Sequence, residues 1–244
     1  APHSLRAVTA AELKGVVAMA GDGPIHIHAA EQVKEVEDCL RATGMRPVRW
    51  LLEHAPVDRR WCFIHATHMR PEETVGMARA GAVAGLCPLT EGNLGDGVFD
   101  LARFLANGGA FGVGSDSNIQ IGVADELRML EYAQRLASRQ RCAAAPTGGS
   151  TARTLYETAL EGGARALGRR TGLVAGAPAD FVSLQLDQPA LAERSGENLL
   201  DAWLFVGARV DKVWARGALK VEGGRHVARE PIFARFRARL KRLS

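Results

Sequence analysis

With 244 residues and 47% hydrophobic content, the chain can bury a sizeable core, in one large or two smaller domains. Its net charge of +4 is uneven: Arg235, Arg237, Arg239, Lys241 and Arg242 crowd the last helical stretch, and no aromatic-rich basic face occurs elsewhere, which argues against a nucleic-acid binder. Cys39, Cys62, Cys87 and Cys142 lack paired spacing, and no signal peptide or membrane span is present. The expectation is therefore a cytoplasmic, soluble protein with free thiols, without disulfides, a zinc cage or a membrane partner.

The chain opens on Ala1-Pro2-His3-Ser4-Leu5-Arg6, without an initiator methionine, and reads as the middle of something longer. Thr9 to Ala20 follows as a helix, with Thr9 as N-cap and Glu12 three residues on in a capping box. Next comes Pro24 to Ala30, a short apolar run with histidines at 26 and 28. Alternate strand residues share a face, so both imidazoles lie on one side, and Glu31 stands at the turn into a helix over Gln32 to Thr43. Two histidines on a strand before a helix-capping glutamate are common in α/β proteins, so this stretch alone leaves a structural and a chemical role open.

The following strands end in the same way. Arg46 to His54 is helical, and Trp61 to Thr67 is a second buried strand that ends in His65. A helix starts at Pro71, a favourable first-turn proline, and Ala82 to Cys87 is a third strand. Pro88 to Gly97, rich in turn formers, reads as a loop before a helix over Phe99 to Ala106. The fourth strand, Phe111 to Gly114, runs into Ser115-Asp116-Ser117. Strands alternating with helices at this spacing predict a parallel sheet with right-handed crossovers.

Helices over Ala124 to Ala137 and Ser150 to Leu167 flank a mobile loop at Ala143 to Gly149. Beyond Gly172 the pattern changes to antiparallel strands around Ala179 to Leu184 and Val210 to Ala215, with glycine turns at Gly217 and Gly223-Gly224. The predicted organisation is an α/β unit over residues 1–170, a small β-domain over 171–228, and a basic amphipathic helix over 229–244 that docks on its own domain. Four parallel strand–helix units do not close a barrel. The sheet is thus either small and open or the later portion of a larger one, and the missing start favours the second.

Chemistry supplied by successive strand ends is the pattern of a (β/α)8 barrel site. Neutral imidazoles and a carboxylate suit zinc or a similar divalent ion. The runs HIHAAEQ, HATHM, CPLTEGNLGDG, GSDS and GAPADFV together resemble the amidohydrolase superfamily, in its deaminase branch, over nearly the whole chain. Taken alone, GSDS would be a weak signal.

The resemblance implies the C-terminal part of a TIM-type barrel of the metal-dependent hydrolases, with a segment of a β-sandwich domain. It also implies that earlier strands, with an HxH ligand pair, lie upstream of Ala1. Residue by residue, it makes His28 a metal ligand and Glu31 the proton shuttle. His65 becomes the histidine beside the attacking water, and Asp116 both metal ligand and base. His3 and Arg6, in HSLR, would hold a glutamate portion of the substrate. The branch also leads to one divalent metal, zinc or else iron, a homodimer, and hydrolytic loss of ammonia from N-formimino-L-glutamate in histidine degradation. His26 is read either as structural or as a substrate contact, and Glu91 as structural or loop-positioning. Asn118 departs from the histidine usual after GSDS. The alternatives are deamination of another small molecule, such as guanine, a catalytically incomplete scaffold, and a basic binding module acting through the last helix.

Overall fold

The computed structural model describes residues 1–146 and 148–243; Thr147 of the predicted 143–149 loop and Ser244 of the last segment lie outside them. The elements follow the alternation in the sequence. Helix α1 (Ala10–Ala20) starts on the expected capping box, in which the Thr9 side chain accepts the Glu12 N–H and the Glu12 carboxylate accepts the Thr9 N–H. Then come β1 (Ile25–Ala29), α2 (Val33–Thr43), α3 (Pro47–His54), β2 (Trp61–His65), α4 (Pro71–Ala80) and β3 (Val83–Leu86). After them run α5 (Pro88–Leu94), α6 (Leu101–Ala106), β4 (Ala110–Val113), α7 (Val123–Ser138) and α8 (Thr151–Ala166).

The first four strands form one parallel sheet in the order β1-β2-β3-β4. Register pairs His26 with Cys62, His28 with Ile64, and Ile64 with Gly85, so these residues share one face. On the other face Ile25, Ile27, Trp61, Phe63 and Phe111 are fully buried against Val36 of α2, Leu51 of α3, Met77 of α4 and Phe104 of α6. This apolar layer is the main core. On the histidine face, Cys62, Val83 and Ile64 form a smaller cluster with Ala166 at the end of α8. Helix α8 can run directly against β4 because Gly162 has no Cβ, which would fall 2.1 Å from the Phe111 carbonyl oxygen. At the outer edge of β1, Ser4 adds a single parallel bridge to His28.

Three expectations change. Pro88 to Gly97 is not all loop. Proline at N1, a Glu91 carboxylate accepting the Cys87 N–H, and a left-handed Gly95 at the end turn its first seven residues into α5. Ala143 and Ala144 are fastened, not free, because the fully buried Glu131 carboxylate accepts both of their backbone N–H groups at 2.9 and 3.0 Å. The last helix, α10 after the two sheets (Arg229–Leu240), buries no residue against the rest of the described chain, so the expected docking is not seen there. Its Phe233 ring instead lies under the Arg229 and Arg237 guanidiniums of the same helix.

The later part of the chain is a four-stranded antiparallel sheet in chain order, β5 (Phe181–Leu184), β6 (Val210–Ala215), β7 (Ala218–Glu222) and β8 (Arg225–His226). No second sheet packs on it among the described residues. The 171–228 range is also not one unit. Helix α9 (Gly196–Ala202) and the π-helical turn over Trp203–Gly207 return to the first core, where Leu204 is fully buried and its carbonyl accepts from Arg128 at 3.1 Å. Among the described residues, no helix is long and apolar enough to cross a membrane.

Candidate active site

The carboxyl ends of β1, β2 and β4 carry the candidate residues, and non-glycine residues stand in the left-handed region at or just beyond each: Ala30 (φ 54°), His65 (66°), Ala66 (50°) and Asp116 (48°). Such conformations cost of order 1–3 kcal/mol each and persist only where the surroundings impose them. The restraints here are visible. Beyond β1, Glu35 in the first turn of α2 is 4% exposed and accepts the Ala30 N–H at 3.1 Å and the Glu31 N–H at 2.9 Å. That carboxylate fixes the turn from which the Glu31 side chain projects.

Glu31 stands between two nitrogen groups. One carboxylate oxygen is 3.7 Å from His65 Nε2, and the other is 3.6 Å from Arg6 Nη2. The same Arg6 nitrogen is 3.9 Å from Glu35, and the arginine side chain remains 41% exposed.

His28 donates from Nδ1 to the His3 carbonyl oxygen at 2.8 Å, because a carbonyl can only accept. That fixes its tautomer and leaves the Nε2 lone pair free. Its ring stacks on His3 with centroids 4.8 Å apart and lies 5.6 Å from His65. His3 itself contacts the Ser4 hydroxyl through Nδ1.

His65 is 1% exposed, and its Nδ1 meets Glu91 Oε1 at 3.2 Å. Burial by itself would push the imidazole pKa down. The Glu91 bond and the charges of Glu31, Glu91 and Asp116 outweigh burial, so the net shift is upward. The free nitrogen, Nε2, then faces Glu31. Asp116 follows Ser115, whose carbonyl accepts the Thr90 hydroxyl at 2.9 Å and the Asn118 N–H at 3.0 Å. Asn118 also reaches the Leu89 carbonyl from its side-chain nitrogen, so it braces α5.

The predicted residues thus separate. His3, Arg6, His28, Glu31 and His65 are joined by the contacts above, with Asp116 near enough to act on His65 by charge. His26 stands apart, with Nε2 on the Ala166 carbonyl at 2.7 Å. Two residues were missed or undervalued. Glu91 orients His65, and Glu35 orients Glu31. A carboxylate in the first turn of a helix that begins just after a strand end was the available signal for Glu35.

The donor types at these strand ends suit a divalent metal. His28, its Nδ1 tied to a carbonyl, presents its Nε2 lone pair, Asp116 offers a carboxylate, and His65 stands beside His28 with its Nδ1 on Glu91. Among the described residues, the trio whose ligand atoms all lie within 4.8 Å of one another is a different one, His65, Cys87 and Glu91. There the Glu91 oxygen is taken by His65 and the Cys87 N–H, and burial pushes the Cys87 thiol upward, so that trio supports His65 from beneath.

Residues 1–220 match the model of the Amidohydrolase family. The chain is 50% identical over 236 residues to the formimidoylglutamate deiminase of Pseudomonas aeruginosa, covering 93% of this chain and 51% of that protein. A crystal structure of an amidohydrolase from Brucella melitensis superposes with a TM-score of 0.96 at 55% identity, over 99% of this chain and 54% of that one. The zinc complex of an atrazine chlorohydrolase from Arthrobacter aurescens superposes with a TM-score of 0.81 at 25% identity, over 97% and 53% of the two chains. The chain spans about half the length of the curated relatives it matches. By its strand-end histidines and carboxylates and by this match over most of its length, the chain belongs to the amidohydrolase family.

Proposed function

We propose that the chain forms the later part of the (β/α)8 barrel of a metal-dependent deiminase, with its antiparallel strands contributing to a β-sandwich. The reaction is hydrolysis of N-formimino-L-glutamate to N-formyl-L-glutamate and ammonia. The observation that carries this reading is Glu31, whose carboxylate lies between His65 Nε2 and the Arg6 guanidinium at 3.7 and 3.6 Å. A group that moves protons and a cation that can bind a carboxylate stand side by side. The identity to a Pseudomonas relative named for this reaction supports the same substrate.

His28 and Asp116 would hold one divalent cation, with His65 beside it, and zinc is favoured by a relative solved with it. Bound there, it supplies a water acidic enough to ionise near neutral pH. The side chains do the rest. Asp116 accepts a proton as the water oxygen attacks the formimino carbon. His65 faces the reacting centre through Nε2, where it can donate a hydrogen bond to the oxygen as negative charge develops on it. Glu31 carries a proton to the nitrogen that departs as ammonia. The carbon–nitrogen double bond is thereby exchanged for a carbonyl.

Arg6 spends only Nη2 on Glu31 and Glu35, which leaves a planar fork of donors for a substrate carboxylate. Arg6→Met tests the substrate assignment. In the complete enzyme kcat/KM for N-formimino-L-glutamate should fall about ten- to over a hundredfold, mostly through KM, as a charged hydrogen bond of roughly 1.5–3 kcal/mol is lost. A neutral formamidine lacking the carboxylates should hardly respond. Equal losses on both substrates would leave Arg6 serving only Glu31 and Glu35. A deaminase acting on an uncharged heterocycle would then be the better assignment.

A further inference from the structure

Beneath the site lies a buried carboxyl that the proposed reaction does not use. Glu126, in the first turn of α7, is 2% exposed. One of its oxygens accepts the Leu89 N–H at 2.9 Å, while the other is buried and has no partner among the described residues. Leu89 is the second residue of α5, and its N–H is one of the donors that a helix start leaves unsatisfied.

The rest of that turn points at the chemistry. Glu91 binds His65 Nδ1, the Thr90 hydroxyl binds the Ser115 carbonyl next to Asp116, and Asn118 binds the Leu89 carbonyl. One short turn is therefore tied to His65, to the Asp116 loop and, through Glu126, to the long helix α7. The charged and titratable groups that act on Glu126 are Glu91, across from it, and Asp125 on its own helix, and Glu126 in turn acts on the Cys87 thiol. Arg128, a neighbour on α7, is taken by Asp125 and the Leu204 carbonyl. No ion pair reaches Glu126 among the described residues. Burial, with the Glu91 and Asp125 charges, pushes its pKa to about 7.

We propose that Glu126 is a positioning residue that, through the first turn of α5, sets how His65 and Asp116 are presented to the reacting centre. The inference rests on the reading that His65 and Asp116 carry the hydrolysis. Glu126→Met keeps the bulk and removes the acceptor, and Glu126→Gln keeps an acceptor oxygen. Two readouts apply: the imidazole 15N signals of His65 in histidine-labelled chain, assigned with His65→Asn, and kcat and KM of the complete enzyme.

Glu126→Met should displace the His65 signals and lower kcat about 10- to 100-fold, the usual cost of losing a supporting partner, with KM nearly unchanged. Glu126→Gln should restore both. Glu126→Asp, which withdraws the acceptor by one methylene, should shift them in the same direction by less, and it serves where the Met variant does not fold. Glu131→Ala is the stability control, because it frees Ala143 and Ala144 and should leave His65 alone. The proposal is overturned if the Met and Asp variants leave the His65 signals in place, or if Glu131→Ala moves them equally. A wild-type enzyme that turns over no formimino substrate would defeat the reaction assignment, and the His65 signals would still decide the role of Glu126.

Discussion

The two sheets of this chain are built from similar residue types and do opposite things. In the parallel sheet, both faces of most strand positions are buried, and Trp61 and Phe63 are fully enclosed. In the antiparallel sheet every position of β6 is only partly covered, and Phe181 of β5, stacked on Trp214, is still 37% exposed. The lesson concerns where strain can be kept. Ala30, His65, Ala66 and Asp116 hold left-handed backbones at the end of the sheet that has a dense layer behind it, and this is the sheet that carries the chemistry. The looser sheet holds Arg216 in the same backbone region, but that residue sits in a tight turn with Gly217 and orients nothing in the site.

This contrast can be broken at several points. The largest effect should come from Glu31→Gln in the complete enzyme, which keeps the shape of the side chain and removes proton transfer. The expected fall in kcat is ~10²–10⁴-fold, with substrate affinity retained. Steady-state rates and a binding titration check it, and an unchanged kcat would remove Glu31 from the reaction. Core truncations then compare the sheets directly. Phe63→Ala should cost about 3–5 kcal/mol by denaturant unfolding, whereas Phe181→Ala should cost clearly less, because it starts half in water. Similar losses at both positions would show that the second sheet is as tightly held as the first.

Glu35→Ala sharpens the link between support and chemistry. It should lower kcat by about 10–100-fold while leaving Glu31 present, because the Ala30 and Glu31 N–H groups lose their acceptor. Restoration by Glu35→Gln would assign the effect to hydrogen bonding, and failure of Gln would assign it to the charge facing Arg6.

The smallest effect concerns pH. Glu126 has a folded pKa of about 7, above its ordinary 4.5, so its stabilising contribution is complete below about 4.5 and is lost as pH rises through about 7. Relative to Glu126→Gln, the wild-type chain should therefore lose stability between pH 5 and pH 8. The Tm gap should move by at least about 2–4 °C, the equivalent of 1 kcal/mol at this size. A pH-independent gap would place the ionisation outside that window.

Much of the site was legible because its spacing is local. A strand with period two places His26 and His28 on one face, and a strand-to-helix turn places Glu31 at the edge, whatever the rest of the chain does. The Thr9–Glu12 capping box and the first-turn proline of α4 are equally local, whereas the same signal at Pro88 was outweighed by the turn formers that follow it. The different fates of His26 and His28 were not legible. Period two cannot say that one imidazole meets the end of α8, 140 residues away, while the other meets the His3 carbonyl. The basic helix α10 raises the same question, since an amphipathic pattern names a face that wants covering and not what covers it, and that face is open among the described residues.

By itself the sequence determined the α/β alternation, the free buried thiols at Cys62 and Cys87, and which residue types stand at the strand ends. These depend on backbone periodicity and side-chain polarity within a few residues. Only the tertiary structure decided that Glu91 turns His65, that Glu35 holds Glu31, and that Glu126 is buried with no ion pair among the described residues. Each of those depends on which distant groups burial brings together, because a carboxylate is a solvated charge on an open helix and a fixed acceptor once water is excluded.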